Sequence, residues 1–432
     1  MDPRPSSALP RELLPDTAEI AGDGRLIVGG VDMLELCQEV GTPVFVYDEE
    51  HLRRRCREAV AAFGDGVAYA SKAFFCREMA RIVHQEGMCI DVSTGGETYV
   101  ALKAGVPPFR LILHGNNKSD EELLLALNAG IHRIVIDSED EIDRLERLVP
   151  LTTPMQRPRA LVRVTPGIEA HTHEYVQTGQ DDSKFGFGLA SGAAAAAVER
   201  LQRSGSPVEL VGVHAHIGSQ IFEVSSFERA IGVLSEFFLP LGMNEICIGG
   251  GLGVPYVEGE KAPSLTEWAA ALRRAGSAVG LPSSIRVTAE PGRAIVAAAA
   301  ITFYTVGTIK QLPGFRTYIS VDGGMSDNPR PVLYGSGYEA FLPRATAAPR
   351  PYVATIVGKH CESGDLIVRD ARVPHDVAVG DLLATPVTGA YGHSMASNYN
   401  KVGRPPVVFV RDGKARTVVR RETWDDLLTH DS

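Results

Sequence analysis

Short β-branched runs recur along the chain from Val67 onward, each followed by a stretch whose apolar residues fall three and four apart. That alternation predicts parallel strands joined by crossover helices. Eight runs fit it: Val67–Ala70, Cys89–Ser93, Leu111–His114, Arg133–Asp137, Ala160–Val164, Gly212–Ile217, Glu245–Ile248 and Ile285–Glu290. The first four begin 22 residues apart, room for one helix per unit. Segments such as Arg77–His84 and Asp120–Leu127 carry the helical spacing between them. Eight such units predict an α/β fold built on a (β/α)8 barrel, with a doubly wound open sheet as the structural alternative. Val44–Tyr47, with the helical stretch from Glu49 to Phe63, reads as a lead-in to the barrel.

After about Phe303 the pattern changes to alternating strands without helices: Tyr318–Val321, Tyr352–Val357, Leu366–Val368 and Leu382–Thr385. A hairpin is expected where Asp412-Gly413 joins Val407–Arg411 to Ala415–Val419, because Asp-Gly readily takes the positive φ angles of a type I′ turn. The expected organisation is a barrel over 44–293 and a second, mostly antiparallel β-domain formed by 1–43 with 294–432. The Ala193–Ala197 run reads as a surface helix.

Composition narrows the function classes. The chain has 432 residues and a formal net charge of −10, so it lacks the basic footprint of a nucleic-acid binder. The longest apolar stretch, Ala294 to Tyr304, is shorter than the roughly 20 residues a membrane helix needs, and the opening residues show no basic, then apolar, leader pattern. A cytoplasmic address and a small-molecule partner are the expectations. The six cysteines are scattered, with no C-x-x-C pair, as expected where thiols stay reduced. Most read as core residues.

Barrel chemistry belongs at the C-terminal strand ends. There the sequence places Ser71-Lys72-Ala73, His216-Ile-Gly-Ser219, Gly249-Gly-Gly-Leu-Gly253 and Glu290-Pro-Gly-Arg293. Lys72 in a mostly apolar, desolvated setting would be an imine-forming amine; read alone it is a surface lysine. The glycine run could let backbone N–H groups approach a phosphate, and Glu290 with Arg293 could equally be a structural ion pair. His214 and His216, two apart on one strand, point to the same side and raise a metal-dependent hydrolase as a rival. His171 and His173 form a second such pair, without an obvious carboxylate partner.

Together these motifs resemble the fold-type III decarboxylases that depend on pyridoxal 5′-phosphate (PLP) and act on ornithine, arginine or diaminopimelate. The resemblance runs from about Val44 to Thr423. Tyr69-Ala-Ser-Lys-Ala is similar to the family's Schiff-base motif, which implies that Lys72 carries PLP. It further implies His216 stacked on the cofactor ring, Ser219, Gly251, Pro291, Gly292 and Arg293 around the phosphate, Tyr391 as a further phosphate contact, and Glu290 on the ring nitrogen. His114-Gly-Asn-Asn-Lys118, Thr178–Gly186, His214–Gln220, Cys361-Glu-Ser-Gly-Asp365 and Ser394–Asn400 narrow the resemblance to the diaminopimelate branch. That branch implies release of carbon dioxide from meso-diaminopimelate to leave L-lysine, with no metal. Arg293, Arg330, Tyr334 and Tyr391 would hold substrate, Glu362 its distal ammonium, and Cys361 would reprotonate carbon. Cys361 and Glu362 would enter from the partner subunit of a homodimer with shared active sites. Phe74, Phe75 and His393 depart from the family pattern. Racemases of the same fold place an arginine at the Glu290 position and lack the Cys-Glu-Ser-Gly-Asp segment, so a lyase is expected. A decarboxylase acting on another carboxylated amino acid remains the alternative within the fold.

Overall fold

All eight β-branched runs become strands, and their pairing decides between barrel and open sheet. The computed structural model describes residues 7–152, 157–168 and 183–432. The barrel strands are Ala68–Ala70, Cys89–Val92, Leu111–Leu113, Arg133–Ile136, Arg159–Thr165, Glu209–His214, Glu245–Cys247 and Arg286–Thr288, paired in chain order. The Ala68 N–H donates to the Ala289 carbonyl at 3.0 Å and the Ala70 N–H to that of Pro291 at 3.3 Å, so the first strand meets the eighth. The sheet therefore closes on itself as a (β/α)8 barrel.

Its filling follows from the side chains that alternate inward. Ala68, Cys89, Ile112, Val135, Leu161, Val211 and Cys247, from seven different strands, form one buried cluster. Small and branched residues share this layer, and two of the six cysteines are core residues there, as expected. Two of the barrel helices begin where a hydroxyl caps them: Ser119 and Ser264 form capping boxes with Glu122 and Glu267. Helix Asp120–Ala129 buries Leu123, Ala126 and Leu127 and stops at Gly130, whose φ is 75°. Ala193–Gln202 is a helix, with Ala194, Ala197, Val198 and Leu201 buried. At the N-terminal strand ends, Glu245 accepts from Arg133 at 2.5 Å and also from Arg286. This ion cluster keeps structural charge at the end of the barrel opposite the chemistry.

The chain divides into two compact units, Arg55–Gly253 with Ala262–Ala294, and Met1–Arg54 with Val254–Lys261 and Ile295–Ser432. The second unit is built on a mixed sheet in the order Leu366–Val373, Tyr352–Val357, Arg316–Val321, Ala300–Leu312, Val44–Asp48, Val407–Arg411 and Lys414–Val419. Leu382–Pro386 also pairs with Ala300–Leu312. Most pairings are antiparallel. The strand Val44–Asp48 corrects the lead-in reading: it pairs antiparallel with Ala300–Leu312 and parallel with Val407–Arg411. All five of its residues are buried, so its sequence looks like a barrel strand, and only partners some 250 and 360 residues away reveal its sheet. Asp412 and Gly413 take φ of 52° and 71°, as the predicted hairpin turn requires. Among the described residues no helix is long and apolar enough to cross a membrane.

Candidate active site

Lys72 lies in the single turn Ser71–Ala73 directly after the first barrel strand. The buried Tyr69 hydroxyl donates to the Phe74 carbonyl at 2.6 Å and staples that turn. Ser71 and Ala73 are buried, yet the Lys72 side chain is exposed. The desolvated setting expected for Lys72 is thus corrected: the turn packs its neighbours and lifts the amine out. Its positive charge is felt by Asp91 and His216, and it lowers the titration of both.

Glu290, at the end of the eighth strand, is buried and receives a partner on each oxygen. His114 Nε2 meets Oε1 at 2.9 Å and His214 Nε2 meets Oε2 at 2.9 Å. The two imidazoles come from the ends of the third and sixth strands and pack edge to face, centroids 4.9 Å apart. Burial alone would raise the Glu290 carboxyl, but His114 and then His214 outweigh it and hold it well below the usual carboxylate range. Asp91 stands 3.7 Å from His114 Nε2, and burial pushes its carboxyl up to about 6.

His214 and His216 do not act as a pair. The strand ends at His214, and beyond it His216 turns to accept the Gly250 N–H at 3.2 Å on Nδ1. Burial, followed by the charge of Lys72, holds His216 well below its ordinary value. The group at metal-ligand spacing among the described residues is His114, His214 and Glu290, in which each imidazole bonds one oxygen of the carboxylate. His171 and His173, and the stretch 178–182 of the Thr178–Gly186 motif, lie outside the described residues.

The loop after the seventh strand is squeezed between its neighbours. A Cβ on Gly250 would stand 2.5 Å from the Glu290 carbonyl, and one on Gly251, at φ 112°, 2.3 Å from that of Gly218. Only glycine fits, which leaves bare backbone at the barrel mouth. Arg293 follows the Pro291-Gly292 turn and donates to the Ser219 hydroxyl at 2.9 Å, so two further predicted residues meet.

In the second unit Arg330 is buried. Its guanidinium lies 4.1 Å from the Tyr256 ring centroid and 5.3 Å from that of Tyr338, whose hydroxyl it also bonds. No carboxylate lies within ion-pair reach of it among the described residues. Tyr334 closes the same helix, Arg330–Tyr334, and Tyr391 takes a φ of 60°. Cys361 and Glu362 are exposed on a loop anchored by Asp365. The Cys361 N–H donates to Asn400 Oδ1 at 2.9 Å, joining the Cys361–Asp365 and Ser394–Asn400 motifs.

These residues suit PLP. Its aldehyde needs an accessible amine, its ring nitrogen an anion, and its phosphate a close approach to backbone and cation. Exposed Lys72, ionised Glu290, the glycine strap and Arg293 supply those groups.

Comparison with known proteins agrees. Residues 49–297 match the family described as pyridoxal-dependent decarboxylase, pyridoxal binding domain. The diaminopimelate decarboxylase of Mycobacterium tuberculosis (strain ATCC 25618 / H37Rv) is 49% identical over 426 residues, covering 94% of each chain. The chain belongs to the diaminopimelate decarboxylase family. The Bacillus subtilis (strain 168) member of that family is 44% identical over 94% of this chain and 95% of its own. A crystal structure of diaminopimelate decarboxylase from M. jannaschii in co-complex with L-lysine matches with a TM-score of 0.87 at 30% identity, over 96% of this chain and 98% of that one.

Sequence reasoning missed His114 and His214 as partners of Glu290 and Asp91 as the acid beside them. Their signal was faint: each lies in or just after the last residues of a barrel strand, but nothing along the chain says that these strands converge there. Lys118, in the motif that begins with His114, proves structural. It is buried, with Nζ 2.7 Å from the Gly115 and Val135 carbonyls and from Glu141.

Proposed function

We propose that this chain, with PLP bound to Lys72 in the barrel, removes carbon dioxide from meso-2,6-diaminopimelate and yields L-lysine. The observation that carries the substrate choice is Arg330. A buried cation without a carboxylate partner is costly, and a substrate with a second carboxylate would supply the missing anion bidentately. Ornithine and arginine would leave it unpaired. The relatives' name, diaminopimelate decarboxylase, supports the same reading.

When bound, PLP supplies the electron acceptor that lets carbon dioxide leave an α-carbon. Around it Glu290 would offer an anion to the ring nitrogen, and His216 would cover the ring. Ser219, Gly251, Pro291, Gly292, Arg293 and Tyr391 would hold the phosphate. Arg293, Arg330, Tyr334 and Tyr391 bind substrate, and Glu362 receives its distal ammonium group. The bond from Cα to its carboxylate breaks, and Cα takes a proton from Cys361 Sγ, which regains one from water. A thiol, with an ordinary pKa near 8.5, is a suitable acid for that step. The exposure of Cys361 and Glu362 supports their service to the active site of a second subunit. A homodimer with shared sites and a cytoplasmic address belong to the same proposal.

Two measurements test it. Purified protein should show a visible absorption band that changes on adding meso-diaminopimelate, and borohydride reduction followed by peptide mapping should leave the cofactor's mass on Lys72. In a substrate panel, carbon dioxide should be released from meso-diaminopimelate faster than from ornithine, arginine or lysine. Equal or reversed preference rejects the substrate, and no uptake of PLP rejects the whole reading.

A further inference from the structure

We infer that His114 and His214 are positioning residues for Glu290: two N–H donors from different strands hold its carboxylate in one orientation, as an anion, for the cofactor's ring nitrogen. The inference rests on the function proposed above and deepens it.

A carboxylate at a strand end turns about its terminal bond, and one donor leaves that rotation open. Here each oxygen has its own donor at 2.9 Å, from the third strand on one side and the sixth on the other. Each oxygen keeps a further lone pair, so the clamp does not exhaust the acceptor. The rings limit one another as well, meeting edge to face at 68°.

The environment also sets the tautomer of His214. Its ring is buried, and Nδ1 has no hydrogen-bond partner among the described residues. A proton there would be a buried donor without an acceptor, which costs more than an idle lone pair. The Nε2 position, facing Glu290, therefore carries a proton. A donor there orients the carboxylate. His114 differs, because its Nε2 bonds Glu290 and also faces Asp91, 3.7 Å away and beyond hydrogen-bond distance. A purely structural triad would need only packing volume at position 214. A clamp needs a donor at the place of Nε2.

The test compares His214→Gln, whose amide reaches about as far as Nε2, with His214→Leu, which keeps bulk and loses the donor. Each protein, without cofactor, is first melted. PLP is then titrated in, with the dissociation constant and the visible spectrum as readouts. The leucine variant should bind PLP roughly ten- to a hundredfold more weakly, the size expected for one lost bond to a charged group. Its absorption band should shift, kcat should fall and KM should hold, while the glutamine variant stays close to wild type. A leucine variant with wild-type spectrum and affinity overturns the inference. So do glutamine and leucine variants that are equally impaired at unchanged melting temperature. Should the leucine variant not fold, His214→Asn replaces it, since its shorter amide falls short of Glu290 and the same contrast is required. A wild-type chain that takes up no PLP overturns the proposed function itself, which a normal wild type beside an unaffected leucine variant does not.

Discussion

The Asp365 carboxylate accepts the Met325 backbone N–H at 2.6 Å, tying the loop that carries Cys361 and Glu362 to the turn that leads into Arg330. Its other oxygen accepts the backbone and ring N–H groups of His360 at 2.8 and 2.9 Å. Asp365→Ala leaves three donors without this acceptor and should cost about 3 kcal/mol or more. Asp365→Asn, which keeps one acceptor, should cost about half of that. Urea denaturation of both variants measures the difference, and equal midpoints would show that the carboxylate does not join the two segments.

Arg330 tests substrate choice separately from cofactor binding. Arg330→Ala should lower kcat/KM for meso-diaminopimelate by about a hundredfold, the loss of roughly two charge-assisted hydrogen bonds. Arg330→Lys should keep the charge but not the fork and fall between alanine and wild type. PLP uptake should be unchanged in both. A kinetic series with meso-diaminopimelate alongside a cofactor titration gives the answer.

Gly251→Ala places a methyl group where the Gly218 carbonyl already stands, at a backbone angle that side chains avoid. The strain should cost about 3 kcal/mol, with weakened PLP binding because the strap must move. Thermal unfolding without cofactor and PLP titration separate the two effects.

His393 stands edge-on to Phe45, 5.8 Å between centroids. Burial, with Arg404 adding to it, pushes its imidazole down to about 4 from an ordinary 6.5. Between those values the unfolded chain binds the proton and the folded chain does not, so this contribution to stability is present above pH 6.5 and lost as pH falls toward 4. The loss amounts to about 3 kcal/mol at most. In His393→Phe the term is absent. Unfolding free energies at pH 7.5 and 4.5 should therefore drop less in the variant than in the wild type.

Much of the barrel was legible in the chain because its signals are local. β-Branched runs make strands, and spacing of three and four makes helices, whatever lies elsewhere. The polar residues that follow the strands drew attention to Lys72, His216, the glycine run and Glu290 for the same reason. Reading failed where a residue's surroundings come from distant chain. Val44–Asp48 looks like any buried strand, and Lys72 was expected in an apolar setting although its turn lifts it into solvent.

What the sequence determined by itself was periodicity and chemical type: eight strand and helix units, a β-rich remainder, and ionisable groups at one end of the strands. Only the tertiary structure decided which of those groups meet. Three strand ends bring His114, His214 and Glu290 within 2.9 Å bonds, and the sheet draws Val44–Asp48 between strands that begin at Ala300 and Val407. The physical reason is that periodicity is written in neighbours along the chain, whereas a hydrogen bond depends on distance in space, which closure of the barrel and pairing of the sheet alone supply.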